Sequence, residues 1–336
     1  VSRQGNAAEG GLGELKGGTV TEVYFPWGGM ASGRAALTVR RGYVDWGGQS
    51  RLEADLRAVR GMGVRLDLLF NANCYGGRAV SEHLAHEVGS VMDHLGEVLG
   101  GPVDVVTTTS PMIARVVKQG YAGVEVRASV NMRIGTTAGL GYLADLFDSF
   151  YIQRDYNRDL SRVRRLKRWA DAHGKGLCLL ANSGCLAFCS SQTFHDNMVA
   201  HEQAIDETRN VAGWTPMVCW RLLRDRVNWP VILQGTWVRP EDMGRYEGLV
   251  GVVKLATRMH ARPRMVIDAY ARGRFEGNLL DLFEPGYGPA LAPMAVANGR
   301  FPADWFERTS DCGRECEACG YCGRVLESVL VDGAGA

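Results

Sequence analysis

The chain has 336 residues, enough for one large domain or two modest ones, and its 46% apolar and 22% charged residues are those of an ordinary globular protein. With 38 basic against 37 acidic residues the formal charge is +1, so net charge gives no indication of nucleic-acid binding. No apolar run reaches the ~18 residues of a membrane span, and the polar, Gly-rich start carries no signal core; a cytoplasmic chain with flexible residues 1–18 is expected.

Thr19–Phe25 alternates and is rich in β-branched and aromatic residues, so it predicts a strand. Trp27–Met30 breaks it, and a β-excursion near Ala36–Val44 precedes a helical pattern near Leu52–Val59. Val64–Phe70 predicts a strand, and Val80–Leu99 carries apolar residues at helical spacing. Val103–Thr108 is a further strand, after which Ser110 and Pro111 open a helix as cap and first-turn residue. Strand Val124–Val130 leads to a helix over Thr137–Phe150, and short strand Tyr151–Arg154 leads to a basic helix over Arg158–His173. Gly176–Asn182, Pro230–Gln234 and Gly251–Ala256 complete eight strands, and a helix follows over Pro263–Arg272.

Strands alternating with helices argue for a parallel sheet, and eight such units argue for an α/β fold of the (β/α)8 TIM-like barrel type. An open doubly wound sheet is the alternative, but Phe25-Pro-Trp-Gly-Gly-Met is not its phosphate-loop pattern. The expected division is a flexible N-terminus (1–18), the barrel (19–282), and a strap with a cysteine-rich C-terminal extension (283–336).

Nine cysteines are an odd and unevenly placed set, which fits metal-binding thiolates better than a disulfide framework. Asn182-Ser-Gly-Cys185 and Cys189 follow the sixth strand, Cys74 follows the second, and Cys219 precedes the seventh. All four fall on loops at the strand C-termini, where a barrel gathers its functional groups. Four soft sulfur donors suit a 4Fe-4S cluster or structural zinc, and spacing does not choose between them. Cys178, inside an apolar strand, reads as a small buried hydrophobe. Cys312, Cys316, Cys319 and Cys322 form C-x3-C-x2-C-x2-C, compact enough to wrap a second centre, either 4Fe-4S or zinc. Its first three cysteines match the radical S-adenosylmethionine spacing, but the motif lies after the last strand and Cys322 is available to close the site.

His195 and His201 follow Cys189; His195 reads as a proton carrier or as an ordinary helix histidine bonded to a neighbour. His83 and His86 are not H-E-x-x-H and read as a solvated helix face, whereas His260 follows the eighth strand. Arg127, Ser129, Asn131, Arg154 and Asp155 lie at strand ends, with Lys254 inside the eighth strand. Arginines there suit carboxylate or phosphate groups; pairing of Arg154 with a nearby aspartate is the structural alternative.

The order of several segments resembles the collagenase-like peptidases, the thirty-second family of unknown catalytic type. These are Asn71-Ala-Asn-Cys74-Tyr-Gly-Gly, Val126-Arg-Ala-Ser-Val-Asn131, Arg154-Asp-Tyr-Asn-Arg158, and Asn182-Ser-Gly-Cys185 with Cys189, His195 and His201. They continue with Trp237-Val-Arg-Pro-Glu-Asp242, Tyr246-Glu-Gly, Tyr270, Gly277-Asn278-Leu-Leu-Asp281 and the final cysteines, spanning about residues 19 to 323. The resemblance implies a TIM-barrel-like core and, through relatives acting in oxygen-independent hydroxylation of RNA bases or ubiquinone precursors, a 4Fe-4S cluster on Cys74, Cys185, Cys189 and Cys219. The expectation is an iron-sulfur oxidoreductase or hydroxylase. Arg127, Asn131 and Arg154 would orient a small or nucleotide-like polar substrate, His195 would carry a proton, and an electron donor or related subunit would assist. The alternatives are a peptidase or peptide-binding protein and a non-catalytic iron-sulfur subunit. The chain departs from the family's name in lacking a recognisable nucleophile–base or metalloprotease motif, and from its RNA-modifying members in lacking an added RNA-binding domain.

Overall fold

The structure, a computed structural model, describes residues 20–33 and 45–333. The expected flexible start and the β-excursion near Ala36–Val44 lie outside the described residues.

Seven parallel strands form one sheet in sequence order: β1 (Glu22–Pro26), β2 (Arg65–Phe70), β3 (Val105–Thr108), β4 (Glu125–Ala128), β5 (Ser149–Tyr151), β6 (Gly176–Leu180) and β7 (Val252–Lys254). Helices α1 (Trp46–Gly61), α2 (Glu82–Leu99), α3 (Pro111–Gly120), α4 (Thr137–Gly141) and α5 (Leu160–Ala172) connect the first six strands. The sheet curls until its outer strands meet through side chains. Tyr24 on β1 donates its hydroxyl to Leu255 O at 3.1 Å and accepts from Thr257 N at 3.1 Å, both just beyond β7. The result is an α/β fold with a curled, half-barrel parallel sheet.

Helix α2 shows why the local reading succeeds. Leu84, Val88, Val91, Met92 and Leu95 form one buried stripe. Ser81 accepts from Leu84 N at 3.1 Å, and Gly100 ends the helix in the left-handed region at φ 70°. Burial of each large apolar side chain on that stripe contributes roughly 1.5–3 kcal/mol. Ser110 and Pro111 open α3 as expected.

Three expectations are corrected. Pro230–Gln234 is not a strand: Pro230–Leu233 is the short helix α9, which follows α6 (Gln192–Val199), α7 (Glu202–Asp206) and α8 (Val218–Leu222). A run of three apolar residues fits either state, and Pro, with no N–H and a fixed φ, favours a helix's first turn. The parallel sheet therefore has seven strands among the described residues, and the eightfold count does not hold. The helix expected over Thr137–Phe150 ends at Gly141, and β5 takes Ser149–Tyr151 in place of the expected Tyr151–Arg154.

Past β7 come α10 (Pro263–Arg272), α11 (Gly288–Leu291), β8 (Met294–Val296), α12 (Trp305–Ser310), α13 (Cys316–Cys319), α14 (Tyr321–Val329) and β9 (Leu330–Asp332). β8 and β9 pair antiparallel. These elements share a second core with the segment before β7, built on Trp229, Leu233, Trp237, Trp305, Leu326 and Val329. Trp237 and Trp305 stack at 6.0 Å.

Among the described residues no helix is long and apolar enough to cross a membrane.

Candidate functional site

The Asn182–Cys185 segment is held by its own side chains. Asn182 is fully buried and donates to Ala256 O at 2.9 Å and Leu282 O at 3.0 Å, while its carbonyl oxygen accepts from Ala256 N at 2.5 Å. One amide thus stitches the end of β6 to the segment after β7 and to the strap. The strap then runs alongside: Glu284 N donates to Asn182 O at 3.1 Å, and Gly184 N donates to Glu284 O at 3.0 Å. A Cβ on Gly184 would stand 2.0 Å from Pro285 O, so only glycine fits there. Thr236 Oγ1 donates within the same knot, 3.0 Å from Ser183 O. These contacts fix where Cys185 emerges.

Cys185 and Cys219 lie near enough to Cys189 to act on its charge. Burial pushes the Cys189 thiol upward, and the neighbouring Cys185 and Cys219 push it further by like-charge repulsion, against a hydrogen bond from the Ser191 amide. Tyr287, 2% exposed, has its hydroxyl raised chiefly by burial and then by the charges of Cys185 and Cys219. Cys74 lies on the loop after β2, where its Sγ accepts from Gly76 N at 3.4 Å. Among the described residues no three metal-ligating side chains already converge on one point. All nine cysteines are free thiols. Cys178 is 2% exposed in β6, its thiol pushed up to about 12 by burial.

Arg154 and Asp155 form the hub of this end. Arg154 is 5% exposed; its Nη1 donates to Cys185 Sγ at 3.5 Å and its Nη2 lies 3.7 Å from Asp196 Oδ2. With its amide oriented to satisfy both groups, Gln192 accepts from Arg154 Nε at 2.9 Å. Asp155 Oδ1 accepts from Phe188 N at 2.5 Å, and Asp155 O accepts from Arg314 Nη2 at 2.6 Å. Arg314 also sits over the Phe188 ring at 4.8 Å. The cysteine loop, α6 and the C-terminal extension therefore meet at the end of β5. Gln192, Asp196 and Arg314 escape sequence reading because they act only through this meeting. His195 occupies the first turn of α6, its amide donating to Ser191 O at 2.9 Å.

Arg127 lies elsewhere. It is fully buried within the sheet, its guanidinium gripping both Glu22 carboxylate oxygens and Glu125 Oε1, with Nε on Ser149 Oγ at 3.1 Å. Burial opposes its charge, and Glu22 more than offsets that, so its pKa stands above the ordinary value. Asn131 is on the rim on the β2–β4 side, where its amide reaches Asn71 O at 3.5 Å. The structure thus brings Arg154 to the cysteines and places Arg127 inside the sheet. His83 and His86 are exposed. His260 binds Asp281 O at 2.8 Å through Nε2 and accepts from Arg262 N at 3.0 Å.

Lys254 points among Tyr24, at 3.9 Å from the ring centroid, and Tyr151, at 5.4 Å. Burial pulls its pKa down to about 8, against the attraction of Asp67. Because the folded value lies below the ordinary 10.5, the unfolded chain binds more protons above pH 8. Stability should therefore climb between pH 8 and about 10; urea titrations should show the climb in the wild type and its absence in Lys254→Met.

A groove of about 760 Å3 runs between the Cys185–Ser190 loop, α8 and the C-terminal extension, and Cys189 and Cys316 both line it. Phe188 and Leu222 in its lining are exposed at 43% and 40%, and exposed Phe194 of α6 meets Trp214 edge to face at 6.1 Å. A second cavity of about 330 Å3 is lined by all four C-terminal cysteines.

No protein-family model matches the chain. Over 272 residues, 80% of this chain and 77% of the other, it is 24% identical to an uncharacterized protease of Methanocaldococcus jannaschii. The solved U32 peptidase Mk0906 aligns over 70% of this chain and 85% of its own, with 18% identity and a TM-score of 0.49. The likeness to the curated protease extends over most of both chains.

Proposed function

We propose that the chain acts on peptides, bound extended in the groove between the Cys185–Ser190 loop and the C-terminal extension. The groove itself carries this reading: about 760 Å3, open along one side, with apolar Leu186, Phe188, Val218 and Leu222 for side chains and Gln234 and Arg314 for backbone carbonyls. The curated relative named a protease accords with it. Leu222 is partly exposed, so Leu222→Glu should leave the fold intact while charging the groove wall. Fluorescence anisotropy with an unstructured casein-derived peptide should show binding weakened about tenfold or more, ~1.4 kcal/mol. Equal affinity in the two proteins would remove the groove from the account.

A second reading, an iron-sulfur oxidoreductase of the reducing cytoplasm acting on a small polar substrate, draws its support from the thiol trio. Soft sulfur donors on the cysteine loop and in α8, with Arg154 N–H directed at Cys185 Sγ, suit a 4Fe-4S cluster held by Cys185, Cys189 and Cys219, with Cys74 as fourth ligand by family resemblance. Bound there, the cluster would supply electron transfer, while Arg154 would offset its negative charge and His195 would carry a proton. Anaerobic purification with iron and sulfide analysis tests it. Iron lost in Cys185→Ser supports the cluster, and an iron-free wild type would sink it.

A further inference from the structure

Arg158, just before α5, is 6% exposed and has no carboxylate ion-paired to it among the described residues. Its Nη2 donates to Leu233 O at 2.9 Å and Gly235 O at 2.8 Å, but its Nη1 is buried with no hydrogen-bond partner. The guanidinium lies over the rings of Trp237, at 4.8 Å, and Trp305, at 5.4 Å. A buried cation without a counter-charge is costly, by several kcal/mol. Of the groups around it that can become anionic, Cys322 acts on it most strongly, ahead of Tyr246 and of Asp242, which forms no ion pair with it; Cys322 is one of four cysteines around a single cavity of about 330 Å3. Trp305 Nε1, another donor in the same core, is also buried without a partner.

We propose that Cys312, Cys316, Cys319 and Cys322 bind a metal centre as thiolates, and that Arg158 is the buried counter-cation of that centre. Four thiolates around a divalent ion leave a net charge of about −2, which meets the need of the unpaired guanidinium. Neutral thiols would not. The backbone is set for ligation at one corner already: Arg314, at φ 62°, directs its amide to Cys312 Sγ at 3.3 Å, a contact that stabilises a metal-bound thiolate. The other thiols close on the metal by side-chain rotation within the cavity. Arg158 thereby links the extension to the helix after β5, and the bound centre stiffens the groove wall to which Cys316 belongs.

The test is a titration of the chelator-treated, reduced full chain with cobalt(II), read by thiolate-to-cobalt absorption, with zinc(II) competition for affinity. Cys312 and Cys319 are exposed, so serine there spares the fold. Cys312→Ser and Cys319→Ser should each lose the same portion of the absorption, a portion that Cys185→Ser retains. Arg158→Met should bind zinc at this site at least tenfold more weakly, and Arg158→Lys should recover part of the loss. If Arg158→Met does not fold, Arg158→Gln, which keeps donors without the charge, reads the same affinity. Unchanged absorption in both cysteine variants overturns the site, and unchanged zinc affinity without the charge at position 158 overturns the counter-cation.

Discussion

Replacing Arg127 by methionine should cost the fold about 3–5 kcal/mol, measured by urea unfolding at pH 7, because it strands carboxylates in the sheet interior. Glu22 and Asp67 have side chains 9% and 1% exposed, and Glu125 is 24% exposed. Arg65 reaches Glu22 at 3.3 Å and Glu125 at 2.6 Å from the edge of the cluster, and it cannot replace the central guanidinium. The pH dependence should shift as well. In the wild type burial raises the Glu125 pKa, but Arg127, helped by Arg65 and Ser149, holds the carboxyl below its ordinary 4.5. That contribution is present above the unfolded value and drains as pH falls through the lower, folded one. Without Arg127, burial raises the carboxyl values, so the variant should gain stability as the pH falls and the stranded groups take up protons. A cost below about 1 kcal/mol would show that Arg127 is not central to the interior.

Gly184→Ala should have the other large effect. The added methyl would meet Pro285 O at 2.0 Å and Phe283 Cβ at 3.1 Å, and the first of these is backbone that cannot turn away. The strap must lift, losing the hydrogen bond from Gly184 N to Glu284 O and disturbing the buried Asn182 amide beside it. Overpacking of this kind costs roughly 1–3 kcal/mol and sometimes more. The consequence reaches the site, since Cys185 is the next residue. Cysteine alkylation followed by peptide mapping should show Cys185 and Cys189 reacting faster in the variant, with Cys178 unchanged. Identical labelling would mean that the strap does not position the cysteine loop.

Much of the sheet was legible because its signals are local. The stripe of α2, the Ser110–Pro111 start of α3 and the short, largely apolar runs around β1 to β4 each name their own state. Pro230–Leu233 was not legible, since three apolar residues carry no period and the decision falls to the core around Trp229 and Trp237. The cysteine loop could be singled out from residue types, and so could the C-terminal motif. Their surroundings could not. Arg127 and Arg154 look alike at the ends of their strands, yet one is committed to Glu22 inside the sheet and the other to Cys185 and Asp196 at the rim. Arg158 reads as the start of a basic helix, and only the packing of Trp237 and Trp305 against it reveals a buried charge.

The measurement closest to the central claim is cross-linking of a photoreactive, unstructured casein-derived peptide to the intact protein, with adducts located by mass spectrometry. Adducts are expected on residues 186–190 and 314–318, the two walls of the groove, with their loss in Leu222→Glu. Adducts confined to the opposite end of the sheet, or unchanged by Leu222→Glu, would contradict that claim.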